Sequence, residues 1–84
     1  MEVTPNPASS NSDITINYNL NSTSDVMVDL YDMQGRLVRS IPRETVSFGN
    51  YSKTMSMEGI PAGMYVCKVT ANDQVQTTKI VVSQ

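Results

Sequence analysis

Strict two-residue alternation of apolar and polar side chains recurs along this chain, and it narrows the choice of fold more than any other feature. DITINYNL, starting at Asp13, places Ile14, Ile16, Tyr18 and Leu20 on one side and Thr15, Asn17 and Asn19 on the other. Successive side chains of an extended strand point to opposite faces, so this spacing predicts a half-buried strand. VMVDLYD sends Val26, Val28 and Leu30 inward and Met27, Asp29 and Tyr31 outward. YSKTMSM alternates through Tyr51, Lys53, Met55 and Met57 and leaves Ser52, Thr54 and Ser56 wet. MYVCKVTA aligns Tyr65, Cys67, Val69 and Ala71, and QVQTTKIVV follows as a last strand. No stretch carries a persuasive helical period.

Turn chemistry separates these runs. NSTSD lies between the first two, and DMQG ends in Gly35, which can take the positive φ that other residues resist. After it, RLVRSI predicts the second arm of a hairpin spanning Asp25 to Ile41. Pro42 is expected to halt that arm, with RETVSFGN as a polar connection ending in Gly49. EGIPAG is another turn cluster, and Asn72-Asp73 favours a tight left-handed hairpin turn. The first dozen residues, MEVTPNPASSNS, are rich in Pro, Asn and Ser and read as an extended arm or edge strand before a domain over 13–84. Because Met1 stands directly before this stretch, the chain is expected to be a piece of a longer protein.

The 84 residues suffice for one small domain, and 39% hydrophobic with 17% charged residues is a composition that folds. Met, Val, Ile and Tyr supply most of the apolar part, which favours strands. About seven short strands with one buried face each predict an all-β antiparallel β-sandwich.

Little in the chain can carry chemistry. There is no histidine, the commonest general base and metal ligand. Cys67 is the single cysteine, so no internal disulfide forms, and its inward register predicts a buried, inert thiol. Asp25, Asp29 and Asp32 lack the converging oxygens of a Ca²⁺ loop and read as surface charge. Gly59 and Gly63 precede no helix and are turn glycines rather than a phosphate cradle. Asn21-Ser22-Thr23 and Asn50-Tyr51-Ser52 match the N-glycosylation triplet, which matters only in a eukaryotic secretory route. A net charge of -2 with scattered Lys and Arg argues against nucleic acid. No apolar run approaches the roughly 20 residues that span a bilayer. The residues therefore predict a non-enzymatic domain without metal, cofactor or small-molecule substrate, acting through its surface.

Three segments carry a resemblance. PNPAS (Pro5 to Ser9), VDLYDMQGRLV (Val28 to Val38) and GIPAGMYVCKV with TTKIVV near the end are similar in order and spacing to the carboxy-terminal sorting domain of the type IX secretion system of Bacteroidetes. The resemblance implies an immunoglobulin-like sandwich of seven strands appended to a secreted protein. It further implies export through the periplasm and outer membrane of a Gram-negative bacterium, recognition by the translocon, and removal by a sortase-like component that leaves the cargo on the cell surface. The family's proline motif maps onto Pro5, Asn6 and Pro7, its Gly-x-Tyr motif onto Gly63 and Tyr65, and its terminal strand onto Lys79, Ile80, Val81 and Val82. The last strand is expected at a sheet edge, open to a partner strand or to a second copy in an edge-strand dimer, with Lys79 guarding it. The competing expectation is an immunoglobulin- or fibronectin-like accessory module of an extracellular enzyme or adhesin. ITINYNL with VMVDLYDMQGRLVRSI also resembles the immunoglobulin-like domain of flagellar hook-capping proteins, but that family continues with a W-D-G turn and this chain has no Trp.

Overall fold

Alternation in the sequence becomes two stacked sheets in the computed structural model, which describes residues 1–5, 8–9 and 11–83. Its eight strands are β1 (Glu2–Thr4), β2 (Ala8–Ser9), β3 (Asp13–Leu20), β4 (Ser24–Asp32), β5 (Leu37–Val46), β6 (Gly49–Ser56), β7 (Gly63–Ala71) and β8 (Gln74–Ser83). The smaller sheet has the order β1-β3-β6 and the larger β2-β8-β7-β4-β5. Every pairing is antiparallel except that of β2 with β8. This is the all-β sandwich that the alternation predicts, and it is compatible with an immunoglobulin-like arrangement.

The core lies between the inward faces. Ile14, Ile16, Tyr18 and Leu20 of β3 and Met55 of β6 meet Val26, Val28, Leu30, Cys67, Val69, Ile80 and Val82 from the larger sheet, with Met57 just past β6. Burying each large apolar side chain contributes about 1.5–3 kcal/mol, which makes this layer the main source of stability in a domain without disulfides. Val3 and Ala8, from the expected arm, are buried too, so the first dozen residues supply one short strand to each sheet. That stretch accounts for the eighth strand, against about seven expected.

The expected stop at Pro42 is overturned. β5 continues through it to Val46, and the register explains how: Ile41 pairs with Val28 and Glu44 with Val26, so Pro42 and Arg43 together stand opposite Met27. Such a bulge leaves an extra residue outside the ladder, and β5 is the edge of its sheet, so the missing N–H of proline disrupts little. RETVSFGN is accordingly mostly strand, with only Ser47 and Phe48 between β5 and β6.

The turns follow their expected chemistry. In DMQG, the Gly35 amide donates to the Asp32 carbonyl at 3.0 Å and Gly35 has φ 85°. The Asp32 carboxylate accepts from the amides of Gln34 and Arg36 and from Arg36 Nε at 2.8 Å. The Arg36 amide foremost holds this carboxyl below the usual aspartate range; desolvation opposes it, and the Arg36 guanidinium and the Gln34 amide add to the lowering. Asn72 takes φ 54° in the two-residue hairpin between β7 and β8. Its side-chain oxygen accepts from the Asp25 amide at 2.9 Å, which ties that hairpin to the start of β4.

Candidate functional site

Segments far apart in sequence converge at one end of the larger sheet. Gly63 pairs with Val82, Met64 with Val81, Tyr65 with Ile80 and Val66 with Lys79, so the Gly-x-Tyr segment lies rung for rung against the terminal strand. On the other side of β8, Ala8 pairs with Val82 and Ser9 with Ser83, and the Ser83 hydroxyl donates to the Ala8 carbonyl at 3.3 Å. β1 of the smaller sheet ends at Thr4 and β2 of the larger sheet begins at Ala8, so the two strands that flank the proline segment belong to different sheets. Pro5 is exposed and follows a cis peptide bond; Asn6 and Pro7 lie outside the described residues.

The expected site residues divide by exposure. Gly63, Lys79 and Val81 face solvent, whereas the side chains of Ile80 and Val82 belong to the core. Tyr65 is buried as well, and its hydroxyl donates to the Pro61 carbonyl at 2.6 Å. It sits at the start of β7, two residues before Cys67, and bonds back across the corner as the tyrosine corner of immunoglobulin domains does. Gly63 enters β7 at φ 154°, a backbone region that side chains disfavour. The Tyr-x-Cys spacing is thus a corner followed by a small core residue. Cys67 is fully buried, and its surroundings, with a contribution from the Asp29 carboxylate, push the thiol up from 9.0 to about 11. At neutral pH it carries almost no thiolate, the form that reacts.

Next to this junction the outer face of the larger sheet carries several exposed apolar side chains. Met33 and Leu37 are each 55% exposed, Met64 46% and Val81 42%. Tyr31 pairs with Leu37 on one side and Val66 on the other, Met64 pairs with Val81, and Met33 directly follows β4, so these residues lie toward the same end of that sheet; the Lys68 ammonium lies 6.0 Å from the centre of the Tyr31 ring. The alternation already sends Met64 and Val81 outward. That they lie at the same end of the sheet as Met33 and Leu37 follows from pairing across strands and is not visible in a linear reading. Exposed apolar surface of this kind often marks an interaction site.

Remaining features are elsewhere. Lys53 and Glu44 form an ion pair at 2.6 Å between β6 and β5, linking the two sheets along one flank, and the hydrogen bond to Glu44 raises the lysine pKa. Beside it Tyr18 stacks on Tyr51 with ring centres 6.0 Å apart, and burial raises the pKa of the Tyr18 hydroxyl. At the end of the sandwich opposite the proline junction, a cleft of about 430 Å³ opens between Tyr18 and Leu20 of β3 and Val69, Ala71, Gln74 and Gln76 of β7 and β8. Among the described residues no group of three or more Cys, Asp or Glu is placed to hold a metal ion.

A comparison with curated proteins finds no match. The model of the secretion system C-terminal sorting domain matches residues 2–83, nearly the whole chain and all three of the segments that meet at or beside the junction. The chain belongs to the family of type IX secretion C-terminal sorting domains.

Proposed function

We propose that the folded domain is the address by which the type IX translocon recognises the polypeptide attached ahead of it, and that the proline junction and the adjoining apolar face are the part that is read. After passage across the outer membrane, a sortase-like component removes the domain and leaves the cargo on the cell surface. The observation that carries this reading is that three separated segments meet at one end of the larger sheet, where Gly63 and Ala8 both pair with Val82 and the exposed Lys79 and Val81 lie on the same strand. A signal read after folding needs such a surface, because only the folded chain brings those segments together. Ile80, Val82 and Tyr65 support it from beneath by fixing the register of β7 against β8.

The test is a fusion of residues 1–84 to a periplasmic reporter, compared in hosts with and without a working type IX system. Deleting Thr77 to Gln84 is a poor variant because it removes Ile80 and Val82 from the core. Lys79→Glu and Val81→Ser change exposed side chains and leave the core intact. The expected result is surface display that depends on the secretion system and falls in the Lys79→Glu/Val81→Ser double variant while its melting temperature stays near that of the parent. Display that is independent of the system, or undiminished in the double variant, overturns the corresponding part of the proposal.

A further inference from the structure

Each sheet leaves one strand edge uncovered at the same place. β1 pairs with β3 at Thr15 to Asn17, so among the described residues Tyr18, Asn19 and Leu20 have β6 on one side and no paired strand on the other. Among the described residues β2 covers β8 at Val82 and Ser83, at the far end of that strand from Gln74 and Gln76. The cleft of about 430 Å³ lies between these two edges. In an antiparallel strand alternate residues point both N–H and C=O to one side, so the stretch from Tyr18 to Leu20 presents at least one such pair toward the cleft. A cleft flanked by strand edges is shaped for extended polypeptide, which satisfies those groups with its own backbone.

We infer that the cleft seats the segment joining this domain to its cargo, and that this segment lengthens β1 backward along β3. The inference rests on the sorting-domain reading, which supplies the preceding chain. The register is already set: Glu2 pairs with Asn17, Val3 with Ile16 and Thr4 with Thr15. Continued one step, it puts Met1 opposite Tyr18. The residue before Met1 then faces Asn19, and the second residue before it faces Leu20.

Parity decides which side chain enters. Val3 is buried and Met1 packs against the core, while Glu2 and Thr4 are exposed. The second residue before Met1 shares the inward side with Val3 and Met1, so its side chain covers Leu20, Val69 and Ala71. An apolar residue belongs there, and a polar one belongs at the position between. The domain and its connector thus form one continuous strand for about two residues beyond Met1, and any flexible, cleavable stretch starts upstream of that point.

Hydrogen–deuterium exchange on the full-length cargo protein and on residues 1–84 tests this without reference to secretion. The segment from Tyr18 to Asn21 is expected to exchange at least ~10-fold more slowly in the full-length protein, the scale on which pairing of a frayed edge registers. Replacing the second residue before Met1 by Asp in the full-length protein should abolish that protection and leave the rest of the pattern unchanged. Equal exchange in the two proteins overturns the inference, as does protection confined to Gln74–Thr78 of β8. Failure of surface display in the reporter experiment leaves these rates untouched, so the two proposals fail separately.

Discussion

Replacing Tyr65 by Phe deletes one oxygen atom and asks whether a family motif residue serves the fold or the partner. The hydroxyl donates to the Pro61 carbonyl at 2.6 Å, and the ring is buried at the start of β7. The substitution preserves the ring, so no cavity forms, but the Pro61 carbonyl loses its partner in a partly buried position. Breaking a hydrogen bond of this kind costs about 1–1.5 kcal/mol. An unfolding entropy of about 2.1 cal/mol/K per residue gives ~0.18 kcal/mol/K for a chain of this length, so the melting temperature should fall by about 6–8 °C. Total stability for such a domain is about 4–13 kcal/mol, and Tyr65→Phe therefore remains folded at room temperature. Tyr65→Ala also removes the ring, at about 3–5 kcal/mol, and should therefore melt well below Tyr65→Phe. Thermal unfolding followed by circular dichroism measures both, alongside surface display of the same variants as reporter fusions. If the tyrosine acts through the corner, display tracks the folded fraction: near-normal for Phe and lower for Ala. A melting temperature within about 2 °C of the parent for Tyr65→Phe would refute the corner as a stabilising element. Lost display in a folded Tyr65→Phe would make the hydroxyl part of the recognition itself.

Other outcomes follow from single residues. Gly63→Ala is expected to cost about 1–2 kcal/mol through backbone strain at φ 154°, with no collision, since the nearest atom to an added Cβ is Tyr65 Cε2 at 3.9 Å; urea denaturation measures it. Because burial raises the Cys67 thiol to about 11 from 9.0, the stability that depends on keeping it neutral is complete below about pH 9 and is lost as pH rises toward about 11. Cys67→Ala should flatten that alkaline decline in denaturation midpoints, and wild-type Cys67 should resist thiol reagents at pH 7 unless the protein is unfolded. The Asp32 carboxyl is shifted the opposite way, so its contribution is present above its ordinary value of 3.8 and is lost as pH falls below it. Asp32→Asn, which keeps the size but not the charge, should show a shallower acid decline in the same measurement.

Much of this fold is legible in the chain because strand alternation is a local property. The inward sets on β3, β4, β6 and β7, the glycine turn at Gly35 and the hairpin at Asn72 each depend on a few neighbouring residues, and each appears where the spacing puts it. Pro42 misleads for the complementary reason. A proline forbids a ladder bond, but whether the position needs one depends on which strand lies beside it, and β5 has a neighbour on one side only and a bulge at that point.

The candidate surface divides in the same way. Outward parity for Lys79 and Val81 and inward parity for Ile80 and Val82 are readable from alternation alone, as is the buried place of Cys67. That Gly63 stands across from Val82, that Ala8 lies on the other side of the same residue, and that Leu37 is joined through Tyr31 to Val66 are settled only by long-range pairing. So are the lengths of β1 and β2, which determine where the sheets end and hence where the cleft opens. Side-chain direction within a strand is set by covalent geometry, whereas the identity of its neighbours is set by the free energy of closing one shared core, and no short stretch of sequence contains that information.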